Sequence, residues 1–401
     1  MPEQIPALSK SFFDSLTKRS FQEIGYEVAK NIIGDDIPSS ELKRIVDHTL
    51  SFDAPLVPIE ENVFALELFH GPTLAFKDFG ARFLSGLLGY FAQQQSNEIT
   101  ILVATSGDTG SAVANGFLDV PGTRVIVLYP SGKVSEVQEK QFTTLGKNIT
   151  ALEIDGTFDD CQRLVKQSFM DEGLKQKLFL TSANSINIAR LLPQSFYYFR
   201  AVAQLPSTAK SIVFSVPSGN FGNLTAGIFA KRMGLPIHRF IAATNSNAIV
   251  PHYIETKEFS PKPSVSTISN AMDVGNPSNF ARMLDLYEGN HQLLSQEILG
   301  CYFSDEQTKE FMREVFQKRN YTLDPHGAIG YLGLVKYRNE HTDSIGIFLE
   351  TAHPAKFNEV VENAIAAAVP LPEKLQHFLN KSKVSIKMRN SFEELKEFLL
   401  S

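Results

Sequence analysis

The chain has 401 residues, 43% of them hydrophobic and 20% charged, with 31 Phe, no Trp and a formal net charge of -6. That length predicts two packed units sharing a cleft, and the acidic balance excludes the basic face that a nucleic-acid partner requires. Two cysteines, Cys161 and Cys301, cannot build a disulfide framework and have no CxxC or His-rich neighbourhood.

The opening stretch MPEQIPALSKSFFDSLTKRS has no basic segment followed by an apolar core, so no secretory leader is expected. No apolar run approaches the ~20 residues of a membrane span, and a reducing, cytoplasmic setting is the default. Residues 70–80 read HGPTLAFKDFG, with one lysine, Lys77, between Phe76 and Asp78 in an otherwise apolar stretch. Two readings stand side by side. A snorkelling lysine would cover Phe76 with its stem and pair with Asp78, whereas a desolvated one would serve as a base or Schiff-base amine.

From there the pattern is an apolar run, a Gly/Ser/Asn turn and a helical stretch, repeated. EITILVA (98–104) predicts a buried strand, TSGDTG (105–110) a turn and SAVANGFL (111–118) a helix. TRVIVLYP (123–130) and ITALEIDG (149–156) predict strands; VSEVQEKQFTTLG (134–146) and FDDCQRLVKQSFMDEG (158–173) predict helices. SIVFSVP (211–217) leads into SGNFGN (218–223) and a helix, and RFIAATN (239–245) and SIGIFLETAHP (344–354) complete the strand candidates. Strands alternating with helices imply βαβ units, and continuous apolar strands imply a parallel sheet covered on both faces. Residues 258–278, rich in Ser and Pro, read either as a mobile loop near a site or as an ordinary surface connection. LPSTAK (205–210) is the expected domain boundary.

SVPSGNFGN (215–223) ends an apolar strand in a turn with Gly219 and Gly222 and opens a helix at once. Glycines let backbone N–H groups approach an anion, and the helix start adds favourable partial charge. Neither GxxxxGK[ST] nor GxGxxG is present, which argues for a phosphate held statically and against a nicotinamide dinucleotide. An ordinary βα turn remains the alternative. TSGDTGSA (105–112) repeats the construction, and two such cups fit a cofactor phosphate and a substrate anion. TSANSINIAR (181–190) clusters Ser182, Asn184, Ser185, Asn187 and Arg190. The arginine suits bidentate phosphate or carboxylate binding, or else is a surface residue after a capped helix start. The nine histidines show no metal-ligand spacing, His326 and His353 read as hydrogen-bonded turn residues, and no metal is expected. No GxSxG elbow occurs.

A lysine in an apolar setting together with a lysine-free phosphate cup points to a pyridoxal-phosphate enzyme. FHGPTLAFKDFG, ATSGDTGSA, TSANSINIAR, VPSGNFGN, GNPSNFAR, DPHGAIGY and ETAHPAKF resemble, in order, the motifs of the threonine synthase family. The resemblance runs from about Ile5 to Phe357. It implies the tryptophan synthase β-like fold type II: two three-layer α/β domains with mainly parallel twisted sheets and an active site in the interdomain cleft. The domains implied are 1–205, with a smaller mobile core at about 95–205 and the lysine segment, and 206–401, larger, with the cofactor-phosphate loop. Bacterial members usually carry a further N-terminal segment ending in something like GLYMPE, where this sequence begins at MPE.

By the same resemblance, Lys77 is the Schiff-base and proton-shuttling lysine, and Ser218, Gly219, Asn220, Phe221, Gly222 and Asn223 form the cup for the pyridoxal 5'-phosphate phosphate. Thr351 faces the pyridine nitrogen. Asp108 stands against the cofactor's 3′-oxygen, where relatives often have Asn. Thr105, Ser106, Gly107 and Thr109 close over the substrate carboxylate, and Asn184, Asn187, Arg190 and Lys356 are candidates for the substrate phosphate. The implied reaction is conversion of O-phospho-L-homoserine and water to L-threonine and phosphate by a monomer or homodimer. A same-fold lyase releasing 2-oxobutyrate and a non-catalytic phosphometabolite-binding protein are the alternatives.

Overall fold

The apolar runs become the inner strands of two sheets. In the computed structural model, which describes residues 5–94, 97–185, 187–206 and 211–401, the first six strands are β1 (Leu56–Glu60), β2 (Val63–Glu67), β3 (Ile99–Ala104), β4 (Thr123–Pro130), β5 (Ile149–Asp155) and β6 (Phe179–Ser182). The remaining five are β7 (Ile212–Pro217), β8 (Ile237–Thr244), β9 (Ile298–Tyr302), β10 (Ile345–Glu350) and β11 (Ile386–Arg389). One sheet is all parallel in the order β11-β5-β4-β3-β6. The other runs β1-β2-β10-β7-β8-β9, antiparallel at β1–β2 and parallel elsewhere. The expected α/β class with mainly parallel sheets is what forms.

Burial explains why the central strands lack polar alternation. In β3, Ile99, Ile101 and Val103 join a core with Ala112, Val113 and Phe117 of the helix Asp108–Phe117. Leu102 and Ala104 of the same strand face a second core with Cys161, Leu164 and Val165 of the helix Phe158–Met170. Both faces are apolar because both are covered. Cys161 and Cys301 are free and buried, and burial pushes each thiol up to about 12, so they act as small hydrophobes.

The run expected as one helix over 158–173 is two. Thr157 and Asp160 close a capping box at its start, and the Asp171 carboxylate accepts from Leu174 N–H to start Glu172–Lys177 afresh. Strands β1, β2, β6, β9 and β11 went unread. β1 carries Pro58 on an edge, and β6 and β11 are four-residue edge strands, too short to show a period.

Two compact units emerge, each discontinuous in sequence: Met1–His70 with Leu191–Pro370, and Gly71–Arg190 with Leu371–Ser401. This differs from a single division at 205/206. The last 31 residues return to the sheet they would have been assigned away from, because β11 pairs with β5 and Leu395 and Leu399 enter the second core. Residues 207–210 of the LPSTAK connection lie outside the described residues.

Candidate active site

In the unit built from Gly71–Arg190 and Leu371–Ser401, Lys77 is the first residue of the helix Lys77–Ala92. It is half-buried, with Nζ 4.6 Å from the centroid of the Phe76 ring. A helix start is the unfavourable end for a cation, so the position suits an amine that works in its neutral or covalently bound form. Asp78 beside it is buried and accepts from Thr73 N–H at 2.9 Å and Thr73 Oγ1 at 2.6 Å, which closes the loop before the lysine.

At the end of β3 the loop 105–109 divides its labour. Thr105 Oγ1 accepts from Gly107 N–H (2.9 Å) and Gly110 N–H (2.8 Å), so its hydroxyl shapes the turn. Gly107 has φ 143°, a conformation that a side chain resists, and a Cβ there would meet the Gln138 carboxamide. Among the described residues the amides and hydroxyls of Ser106 and Thr109 have no hydrogen-bond partner. Asp108 accepts from Gln138 Nε2 at 2.9 Å, and Gln138 Oε1 accepts from Ser135 Oγ at 2.9 Å. Gln138 is buried at the first turn of Glu136–Thr143 and was invisible in the sequence, since it lies thirty residues from the loop it holds.

The 181–190 cluster separates by role. Asn187 caps the helix Ile188–Ala203, its Oδ1 accepting from Ala189 N–H at 3.0 Å. The Asn184 carboxamide has no partner among the described residues. Arg190 is 2% exposed, donates to the Ala183 carbonyl and lies close under Gly80; burial lowers its pKa to about 10, against the Asp78 charge. It is therefore an interior arginine, where a surface one had been the alternative.

In the unit built from Met1–His70 and Leu191–Pro370, β7 ends at Pro217 and the helix Gly222–Arg232 begins five residues later. Ser218 Oγ donates to Asn223 Oδ1 (2.8 Å), which also accepts from Leu224 N–H, while Asn223 Nδ2 donates to the Pro217 carbonyl (2.8 Å). Both side chains are thus committed to the turn itself. Phe221 adopts the left-handed conformation with φ 60°. Among the described residues the amides of Gly219, Phe221, Gly222 and Asn223 find no partner. Gly219 has no room for a side chain: its Cβ would stand 2.6 Å from Met272 Cα. Asn220 Oδ1 accepts from Ser278 N–H (2.6 Å) and Oγ (2.9 Å). The segment 258–278 is exposed over its first half, but its second half backs this turn and is not an independent surface connection. A row of unpartnered amides at a helix start is an anion cradle.

Residues 51–349 match the family described as pyridoxal-phosphate dependent enzyme, residues 1–50 the threonine synthase N terminus and residues 327–399 the threonine synthase C-terminal family. A curated threonine synthase of Serratia marcescens is 47% identical over 400 residues, covering 100% of this chain and 92% of the relative. The crystal structure of threonine synthase from Escherichia coli superposes with a TM-score of 0.93 at 46% identity, over 100% of this chain and 92% of that one. A threonine synthase structure from Brucella melitensis described as PLP bound gives 0.94 at 34% identity and the same coverage.

The chain belongs to the threonine synthase family of pyridoxal-phosphate-dependent enzymes. For this family member the residues present fit the cofactor: an amide row for its phosphate, a lysine for its aldehyde and a hydroxyl for its ring. That hydroxyl is Thr351, directly after β10, 5% exposed and without a hydrogen-bond partner among the described residues. His353 caps the short helix Pro354–Phe357 through Nδ1, and Lys356 in that helix is 2% exposed. His326 is hydrogen-bonded to Asp324, but it lies in the first turn of the helix Pro325–Arg338 and not in a loop turn as expected. Missed in the sequence was Glu350, fully buried before Thr351, its Oε1 accepting from Asp324 N–H at 2.7 Å. A carboxylate closing the apolar run IGIFLE was the available signal.

Proposed function

We propose that this threonine synthase family member converts O-phospho-L-homoserine and water to L-threonine and inorganic phosphate, in the cytoplasm, as a monomer or homodimer. The observation that carries the reading is the cradle at 219–223, whose four unpartnered amides and absence of lysine suit a phosphate that is held and not transferred. No described helix is long and apolar enough to cross a membrane, and both cysteines are free.

Bound pyridoxal phosphate supplies the electron sink that makes protons at the substrate's Cα and Cβ removable. Lys77 is the residue that would hold the cofactor through its aldehyde, and its Nζ, once freed by the substrate amine, would accept the Cα proton. After a second proton leaves Cβ, phosphate departs from Cγ; protons return at Cγ and Cα, and water adds at Cβ. Ser106 and Thr109 hold the substrate carboxylate with amide and hydroxyl donors, and Gln138 fixes Asp108 between them. Thr351 offers a neutral hydroxyl to the ring nitrogen. Of the four residues considered for the substrate phosphate, Asn184 is favoured, since its carboxamide has no partner among the described residues. Asn187 is occupied as a helix cap, Arg190 donates to the Ala183 carbonyl, and Lys356 is a buried cation.

Purified protein supplied with pyridoxal phosphate and O-phospho-L-homoserine tests this, with phosphate and threonine followed together. Equal release of both is expected. Phosphate with 2-oxobutyrate would show a lyase that stops after elimination, and neither product would leave a binding protein.

A further inference from the structure

Glu350 is 0% exposed at the end of β10, and the groups around it are acidic. On the neighbouring strand its register partner is Glu67, itself tied to Tyr321 Oη (2.8 Å) and His70 Nε2 (2.7 Å). Across from it stands Asp324, the N-cap of Pro325–Arg338. The Asp324 carboxylate accepts from His326 N–H (2.8 Å), Gly327 N–H (3.3 Å) and His326 Nδ1, so it is well furnished as an anion. Among the described residues the Glu350 carboxyl group has one hydrogen bond, the Asp324 N–H to its Oε1, and no cation; its Oε2 is buried without an N–H or hydroxyl partner. Gly327 leaves the space that Oε2 fills, since a Cβ there would overlap it. A carboxyl group in this position cannot be a second anion.

We propose that Glu350 is a neutral carboxylic acid whose Oε2–H donates to the Asp324 carboxylate, and that the chain Glu350–Asp324–His326 is the positioning element for Thr351. Burial first, and the Asp324 carboxylate next, push the Glu350 carboxyl well above the ordinary carboxylate range, which agrees with the geometry. The backbone links this chain to the hydroxyl. The Glu350 carbonyl accepts from Leu68 N–H at 2.9 Å, and Thr351 follows with no side-chain bond to hold it. The carboxyl of Glu350 on one side and the His353 cap on the other therefore set where the Thr351 hydroxyl stands. Other titratable groups of the cluster are Glu67, the strand partner of Glu350; His70 and Tyr321, which hydrogen-bond to Glu67; and His353 and Lys356, in the turn after Thr351.

This inference rests on Thr351 serving the ring nitrogen, so the test separates the two. Glu350→Gln keeps an acceptor for Asp324 N–H and places an N–H donor where the acid O–H stood. The cofactor-loaded variant should keep the wild-type absorbance spectrum and a cofactor dissociation constant within about twofold of wild type. Glu350→Leu leaves Asp324 without that donor, and should weaken cofactor binding at least about tenfold and shift the bound-cofactor absorbance. In the infrared, wild-type protein without cofactor should show a protonated carboxylic-acid carbonyl band that Glu350→Gln lacks. A band unchanged by Glu350→Gln, or a Gln variant as damaged as Leu, would overturn the proposal. So would a folded Leu variant with native affinity and spectrum; if that variant does not fold, the Gln variant and the infrared band still decide. Thr351→Val is scored separately. An unchanged spectrum there would remove the role of Thr351 while leaving the infrared result for Glu350 standing.

Discussion

The loops 105–109 and 218–223 have the same construction, a strand end, a glycine turn and a helix start, yet they are held in opposite ways. In 218–223 the side chains of Ser218 and Asn223 face inward to close the turn, and the outward donors are backbone amides backed by residues 271–272 and pinned by Ser278. In 105–109 only Thr105 is used internally, and the hydroxyls of Ser106 and Thr109 remain outward, while Asp108 is tethered from another helix by Gln138. Fixed amides suit a group that stays, and rotatable hydroxyls suit one that comes and goes. The difference teaches that two cups with similar sequence spacing are told apart by which side chains their own turns consume.

The lysine comes first, because the proposed reaction runs through its amine. Lys77→Ala should lower turnover on the order of a thousandfold or more, and abolish the absorbance of lysine-bound cofactor with the melting temperature retained. An active Lys77→Ala protein would end the scheme. Next in size is Gly219→Ala, which drives a methyl against backbone at Met272 Cα. The cofactor dissociation constant should rise about 10- to 100-fold, for a strain of ~1–3 kcal/mol. Gln138→Ala acts on the other loop. Loss of its donor to Asp108 should raise KM for O-phospho-L-homoserine about tenfold, with a smaller, few-fold loss of cofactor affinity because Asp108 is also the residue assigned to the cofactor's 3′-oxygen. If Gly219→Ala moved KM alone, or Gln138→Ala moved cofactor affinity alone, the assignment of the two loops would be reversed.

Much of this was legible because it is local. The lysine segment, both cups and the 181–190 cluster are runs of eleven residues or fewer, and strand–turn–helix punctuation by Gly, Ser and Asn marks them without reference to the rest of the chain. Gln138, Glu350 and β11 were not legible, and for one reason. Each takes its meaning from a partner distant in sequence: Asp108 at thirty residues, Asp324 at twenty-six, and β5 from the far end of the chain. The division at 205/206 failed likewise, since a crossing inside the helix Ile188–Ala203 carries no break in periodicity. Arg190 shows the converse limit: its motif drew attention to it, but only burial distinguishes an interior arginine from a solvated one.

The smallest effect probes what makes the cofactor cup static. Behind Met272, the Asp273 carboxylate gathers Thr267 N–H (3.0 Å), Thr267 Oγ1 (2.7 Å), Asn245 Nδ2 (2.9 Å) and Asn247 Nδ2 (3.2 Å), knotting the segment that supports Gly219. Asp273→Asn turns one acceptor oxygen into a donor facing these donors. It should cost about 1 kcal/mol and weaken cofactor binding only a few-fold, far less than Gly219→Ala. Burial, the largest influence, raises the Asp273 carboxyl above its ordinary 3.8 despite the hydrogen bonds that favour the anion. The folded protein then holds this proton more tightly than the unfolded chain. The group's share of stability is complete below 3.8 and declines as pH rises through the folded value. Denaturant unfolding of wild type and Asp273→Asn across the mildly acidic range should therefore show the variant's disadvantage growing larger as the pH is lowered through the folded value, because the wild type gains stability on taking up the proton and the Asn side chain has none to take up. A disadvantage that is constant with pH would mean that the knot is held by shape, and the cup's rigidity would have to come from Gly219 and Ser278 alone.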